Sequence, residues 1–292
     1  MKIGVFDSGY GGLTILEKIR KRLPDYDYIY LGDNARTPYG TRSFEVIYQY
    51  TWQCVRHLFG EGCELVVLAC NTASAKALRS IQQRDLLDVW KSEHSDRKRV
   101  LGVIRPTVES IVMKDGVQRT DYNGGETMEK GHGAIHVGVL ATPGTVTSES
   151  YVLEIEKISP EAVVTQQACP MWVPLIEAGE HNDAGADWFV EKYVSELLKK
   201  DPLIDRIILG CTHYPLLLNK IKKVVPPHVR LIAQGDIVAD SLADYLRRHT
   251  DLESCLSKGS SCHFLTTEHP DKFCRSASVF LAEPVTAQHV EL

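Results

Sequence analysis

The stretch that decides the fold is Glu64-Leu65-Val66-Val67-Leu68-Ala69-Cys70-Asn71-Thr72-Ala73-Ser74-Ala75. An apolar run of strand length stops on a cysteine, passes through Asn-Thr and opens a helical pattern of small residues (Ala73, Ala75, Ala77, Leu78). A buried strand that ends on a polar residue and turns into a helix is where open α/β sheets place their ligands. A second such stretch, Ile207-Ile208-Leu209-Gly210-Cys211-Thr212-His213-Tyr214-Pro215, lies in the C-terminal half. Two cysteines thus occupy matching positions in two halves of one chain.

Outward from these stretches the pattern is α/β throughout. Ile3-Gly4-Val5-Phe6 reads as a short buried strand and Asp7 to Gly12 as a turn. A helix is expected from Leu13 to Arg22, stopped by Pro24. Tyr28 to Leu31 is a strand, and Gly32 to Gly40 is a loop of turn formers. Helices are expected over about 43–60 and 75–87, and a strand over 100–104. Ile135 to Thr145 then echoes Lys2 to Gly9, a strand running into a Gly-containing turn. Cys211 follows Gly138 at nearly the distance at which Cys70 follows Gly4. The echoes suggest two similar doubly wound α/β domains, and an internal duplication with pseudo-twofold symmetry would put the cysteines on opposite walls of a shared cleft. The first domain is expected to hold residues 1–98 and 236–292, with Asp7 and Cys70. The second is expected over 99–235, with Cys211 and His213. Residues 114–134 read as an exposed polar insertion. Ser261 to Thr267 reads as one more strand, with a short apolar stretch from Ser276 to Leu281 after it.

The chain has 292 residues, enough for one large core or two modest ones. Its net charge of −5 gives no basic patch, so nucleic acid is not an expected partner. No segment approaches the ~20 apolar residues of a membrane span. The start reads directly as a strand rather than a signal peptide, and a cytoplasmic protein is expected. Its eight cysteines should then be reduced. There is no Cys-x-x-Cys pair to suggest a zinc ribbon, and cysteines other than Cys70 and Cys211 read as small buried hydrophobes or incidental thiols. No nucleotide-binding Gly-x-x-x-x-Gly-Lys-Ser/Thr loop is present, and Gly9-Tyr10-Gly11-Gly12 lacks the third glycine of the dinucleotide pattern.

Paired thiols have a natural use in racemisation at an α-carbon. One thiolate removes the proton from one face, and the opposite thiol delivers a proton to the other. Each thiol then needs its own base or orienting partner, most naturally a carboxylate and an imidazole. Asp7 ends the first strand, and His213 lies two residues beyond Cys211. Each also has a plain structural reading, Asp7 as a turn or helix cap and His213 as a core histidine.

Five stretches carry a resemblance. They are Ile3 to Thr14, Leu31 to Gly40, Ala69 to Ala75, Cys169-Pro170 through Glu177, and Leu209 to Leu217, in order and across nearly the whole chain. In them the chain resembles the glutamate racemases of the cofactor-independent amino-acid racemase superfamily. The resemblance implies two α/β domains closing over an amino acid, with no pyridoxal phosphate or other cofactor and no metal. Cys70 and Cys211 match the family's two catalytic cysteines, and Asp7 and His213 match the residues that assist them. Asp7-Ser8, Tyr39-Gly40, Asn71-Thr72 and Thr212-His213 match substrate-binding positions, with Thr142, Thr145 and Glu177 further along the site. The implied substrate is glutamate, the implied product D-glutamate for the bacterial cell wall, and homodimers are common in the family. Ser74 and His213 favour glutamate over aspartate, whose racemases tend to carry His and Glu there. The 114–134 insertion is longer than the family pattern, and no long N-terminal extension of the activator-binding kind is present. Two other classes compete. A two-lobed binding module has no use for paired thiols, and a redox or metal protein predicts a Cys70–Cys211 disulfide or bound metal.

Overall fold

Among the described residues ten strands alternate with helices, and each of these strands pairs only with parallel neighbours. Parallel strands need a crossover between them, so both faces of each sheet become covered by helices. The computed structural model describes residues 1–93, 97–112 and 134–292. The expected insertion at 114–134 lies outside the described residues except for Ala134.

Strands β1 (Lys2–Asp7), β2 (Tyr28–Gly32), β3 (Cys63–Leu68), β4 (Arg99–Gly102), β9 (Cys262–Thr266) and β10 (Ala287–His289) form one sheet in the order β10-β9-β2-β1-β3-β4. Strands β5 (His136–Ala141), β6 (Val163–Ala168), β7 (Arg206–Gly210) and β8 (Arg230–Ile232) form a second in the order β6-β5-β7-β8. In each sheet the first strand of the unit lies between its second and third, and the fourth lies outside the third. This equal winding is the structural form of the echo between the two halves of the sequence.

Alternate residues of β1 face different cores, Ile3 and Val5 on one side and Phe6 on the other. The second sheet repeats this, with Val137 and Val139 on one face and Leu140 on the other. Both sheets are therefore doubly wound. The chain passes between the sheets at Val103, after β4, and returns at Gln234, after β8. The returning helix Gly235–Arg248 packs on the first helix, Gly12–Arg22.

Some local expectations shift. The first unit was expected to end at residue 98, yet β4 pairs with β3 in register from Leu65↔Arg99 to Leu68↔Gly102. The chain completes one more crossover before leaving the first sheet. The helix after Cys70 begins at Asn71 rather than near residue 75, because the Cys70 sulfur caps it by accepting the Ala73 N–H at 3.4 Å. Ser276 to Leu281 is the end of a longer helix, Pro270–Leu281, with proline in its first turn. Strands β6, β8 and β10, which no pattern in the sequence marked, lie at sheet edges.

Candidate active site

In a doubly wound sheet the chain leaves adjacent strands in opposite directions where the order reverses, opening a crevice at the strands' carboxyl ends. In the first sheet that place is between β1 and β3, whose ends carry Asp7 and Cys70. In the second it is between β5 and β7, whose ends carry Thr142 and Cys211. The two crevices meet in one cavity of about 80 Å³. Asp7, Ser8, Tyr39, Gly40, Asn71 and Thr72 line it from the first unit, with Cys70 among them. Thr142, Thr212 and His213 line it from the second, with Cys211. Thr145 and Glu177, also singled out in the sequence, stand one bond behind the lining. The Thr145 hydroxyl lies 3.4 Å from that of Thr72 and 3.1 Å from that of Thr142. Glu177 Oε1 lies 3.0 Å from His213 Nε2.

The two sulfurs have different surroundings. Cys70 Sγ lies 3.3 Å from the Ser8 hydroxyl. Burial, and then the negative charge of Asp7, push the Cys70 thiol up to about 12, against the pull of Ser8 and the Ala73 N–H. Asp7 is itself raised, first by burial and also by Glu177, although His213 and the N–H groups of Gly12 and Gly9 work the other way. Cys211 Sγ lies 3.8 Å from His213 Nδ1. Burial alone would lower His213, but its bonds to Cys211 and Glu177 outweigh this and hold it well above the ordinary histidine value. One wall therefore carries a protonated thiol beside a carboxyl, and the other a sulfur beside an imidazolium backed by a carboxylate.

The glycines after Asp7 serve close approach rather than phosphate binding. A Cβ on Gly11 would sit 2.6 Å from Thr212 Oγ1 of the opposite unit, and one on Gly12 would sit 2.5 Å from the Asp7 Cβ. Thr14 Oγ1 donates to the Thr212 carbonyl at 2.9 Å, and Gly144 N–H donates to the Gly40 carbonyl at 2.8 Å, so the units touch on both sides of the cavity. Tyr39 donates its hydroxyl to Asp33 Oδ2 at 2.5 Å. That hydroxyl is committed to the fold. All eight cysteines are free, Cys70 and Cys211 included.

Cys169, Pro170, Val173 and Pro174 also line the cavity. Cys169 belongs by composition with the small buried hydrophobes or incidental surface thiols, although Cys169-Pro170 heads one of the matching stretches. Ser74 does not face the cavity. Its hydroxyl donates to the Leu68 carbonyl at 3.1 Å and accepts the Val103 N–H at 3.4 Å. A larger hollow of about 590 Å³ lies behind, lined in part by Ser74, Arg105, Glu154 and Tyr245. Arg79, Arg105 and Lys157 all pair with Glu154 there. Its size does not mark it as the reaction site, since neither Cys70 nor Cys211 reaches it.

No family model matches the chain. A curated glutamate racemase from Ruegeria sp. (strain TM1040) is 39% identical over 287 residues, covering 98% of each chain. The solved glutamate racemase from Francisella tularensis, in complex with D-glutamate, is 32% identical with a TM-score of 0.79, covering 100% of this chain and 96% of that one. A glutamate racemase isoform from Bacillus anthracis superposes with a TM-score of 0.83 at 30% identity, covering 100% and 97%. With such identity over nearly the full length of both partners, the chain belongs to the glutamate racemase family.

Proposed function

We propose that the chain interconverts L- and D-glutamate by a two-thiol proton transfer at the α-carbon. One observation carries this reading: Cys70 and Cys211 come from equivalent loops of two equally wound units and line the same small cavity. An α-carbon between them presents one face to each sulfur. The sulfur that starts as thiolate takes the α-proton, forming S–H and leaving the electron pair on carbon, spread into the adjacent carboxyl. The opposite thiol then gives its proton to the other face and becomes the thiolate. No atom or electron is gained or lost, and the reverse reaction exchanges the roles.

The neighbouring groups suit these roles. Asp7, raised by burial, can take the proton that Cys70 releases and return it. Charged His213 stabilises negative charge on the Cys211 sulfur, and Glu177 holds the imidazole in place. Ser8, Asn71, Thr72, Thr142 and Thr212 offer donors for two carboxylates by charge-assisted hydrogen bonds. Thr145 supports Thr72 and Thr142, and Tyr39 and Gly40 complete the cavity lining. The division into units that goes with this reading is 1–103 with 235–292, against 104–234. D-Glutamate for peptidoglycan is the corresponding physiological product. A cytoplasmic setting agrees with the free cysteines, and among the described residues no helix is long and apolar enough to cross a membrane.

The test is turnover in D2O without added cofactor, following optical rotation and α-deuterium by NMR. Inversion of L-glutamate with solvent deuterium in the product supports the reading, and a parallel run with aspartate settles the substrate. Neither rotation nor exchange with either amino acid would leave the thiols without this role and make a binding module the better account.

A further inference from the structure

We propose that Gln234 is a positioning residue that fixes which end of the Asn71 side-chain amide meets the substrate. This rests on the racemase reading, in which Asn71 holds a substrate carboxylate. Gln234 stands where the chain crosses back to the first unit, immediately before the helix Gly235–Arg248. It is 2% exposed, and its neighbours Asn71, Thr107 and Tyr151 are equally inaccessible. Bulk solvent does not reach such a place, so the pairing among these groups decides their orientation.

The pairing has only one sense. The Val103 backbone carbonyl can only accept, and the Thr107 hydroxyl donates to it at 2.7 Å. Thr107 oxygen is then an acceptor for Gln234 Nε2 at 2.9 Å. The Tyr151 hydroxyl donates to Asn71 Oδ1 at 2.7 Å, and its oxygen accepts from Gln234 Nε2 at 2.9 Å. Both Nε2 hydrogens are thereby committed, and Gln234 Oε1 accepts from Asn71 Nδ2 at 2.6 Å. Asn71, Gln234 and Tyr151 form a closed cycle whose direction is set by a backbone carbonyl at the other crossing between units. Turning the Asn71 amide over would set its oxygen against Gln234 Oε1. The cycle uses one Nδ2 hydrogen of Asn71 and leaves the second for the cavity that Asn71 lines. A donor there attracts a carboxylate, whereas a reversed amide would present a carbonyl oxygen and repel it.

The experiment is a double-mutant cycle in glutamate racemisation between Gln234→Leu and Asn71→Ala, on variants with unaltered far-ultraviolet circular dichroism. Gln234→Leu should raise KM for glutamate about tenfold, the size of one misplaced charge-assisted bond, with kcat changed much less. In the Asn71→Ala background the same change should have no further effect on KM. Additive effects, or an unchanged KM in Gln234→Leu, overturn the inference and leave the racemase reading standing. A KM unaffected by Asn71→Ala removes Asn71 from the substrate and overturns the inference with it. Absence of racemisation in the parent chain is a different result and sinks the racemase reading itself. Tyr151→Phe deletes one oxygen of the same cycle and carries the same expectations where Gln234→Leu does not fold.

Discussion

Replacing Glu177 by glutamine tests the imidazolium wall with almost no change of shape. Glu177 Oε1 sits 3.0 Å from His213 Nε2, and the two side chains are 19% and 6% exposed. His213 stays charged against the cost of its burial because Cys211 and Glu177 hold its proton. Exchanging a charge-assisted bond for a neutral one removes about 1.5 kcal/mol, the low end of the usual range because Glu177 is partly solvated. That corresponds to a fall of about one unit in the histidine's titration. The sign follows from the direction of the shift. A raised pKa keeps His213 charged to higher pH, so lowering it moves the alkaline fall of kcat/KM to lower pH by about one unit. Racemisation has an equilibrium constant of unity, so kcat/KM must fall equally from either enantiomer. The assay is ellipticity against time across pH, started from each enantiomer in turn. A profile whose alkaline limb does not move would refute the assignment of Glu177 as the support of His213.

Other outcomes follow from the same geometry. Asp7 has a raised folded pKa, so its contribution to stability is full below the unfolded value and lost as pH climbs through the folded one. Asp7→Asn should therefore raise the melting temperature at pH 7, by about 2 °C or more in calorimetry, while kcat/KM collapses. With its thiol near 12, Cys70 should alkylate at pH 8 about a thousandfold more slowly than an ordinary cysteine, as peptide mass mapping after timed iodoacetamide will register. Gly11→Ala forces a methyl against Thr212 Oγ1 at 2.6 Å and spreads the two walls. Turnover should drop about a hundredfold with the far-ultraviolet spectrum intact, the effect of reacting groups misplaced by about 1 Å.

The two strand-end cysteines were legible in the sequence because fully buried parallel strands are continuous apolar runs, and their last residues stand out. Asp7, Ser8, Asn71, Thr72, Thr212 and His213 were legible for the same reason, as each lies at a strand end or within four residues after it. Glu177 and Thr145 needed the family resemblance, because their partners Thr72 and His213 lie far along the chain. Gln234 carried no signal. Its hydrogen-bond partners Asn71, Thr107 and Tyr151 come from three separate elements that only the folded chain assembles. The boundary near residue 98 was misjudged because the charged residues before β4 read as a linker, whereas a linker and a crossover to an edge strand have the same composition.

The two crossings between units, at Val103 and Gln234, lie side by side, with Gln234 Nε2 within 3.4 Å of the Val103 carbonyl. A body tethered at one point can turn about three axes, but one tethered at two is left with rotation about the line joining them. Any movement of one unit against the other is thus reduced to one coordinate, like a page turning on its binding. A single distance on the far side of the cavity, such as the hydrogen-bonded pair Gly40 and Gly144, then measures the whole of it.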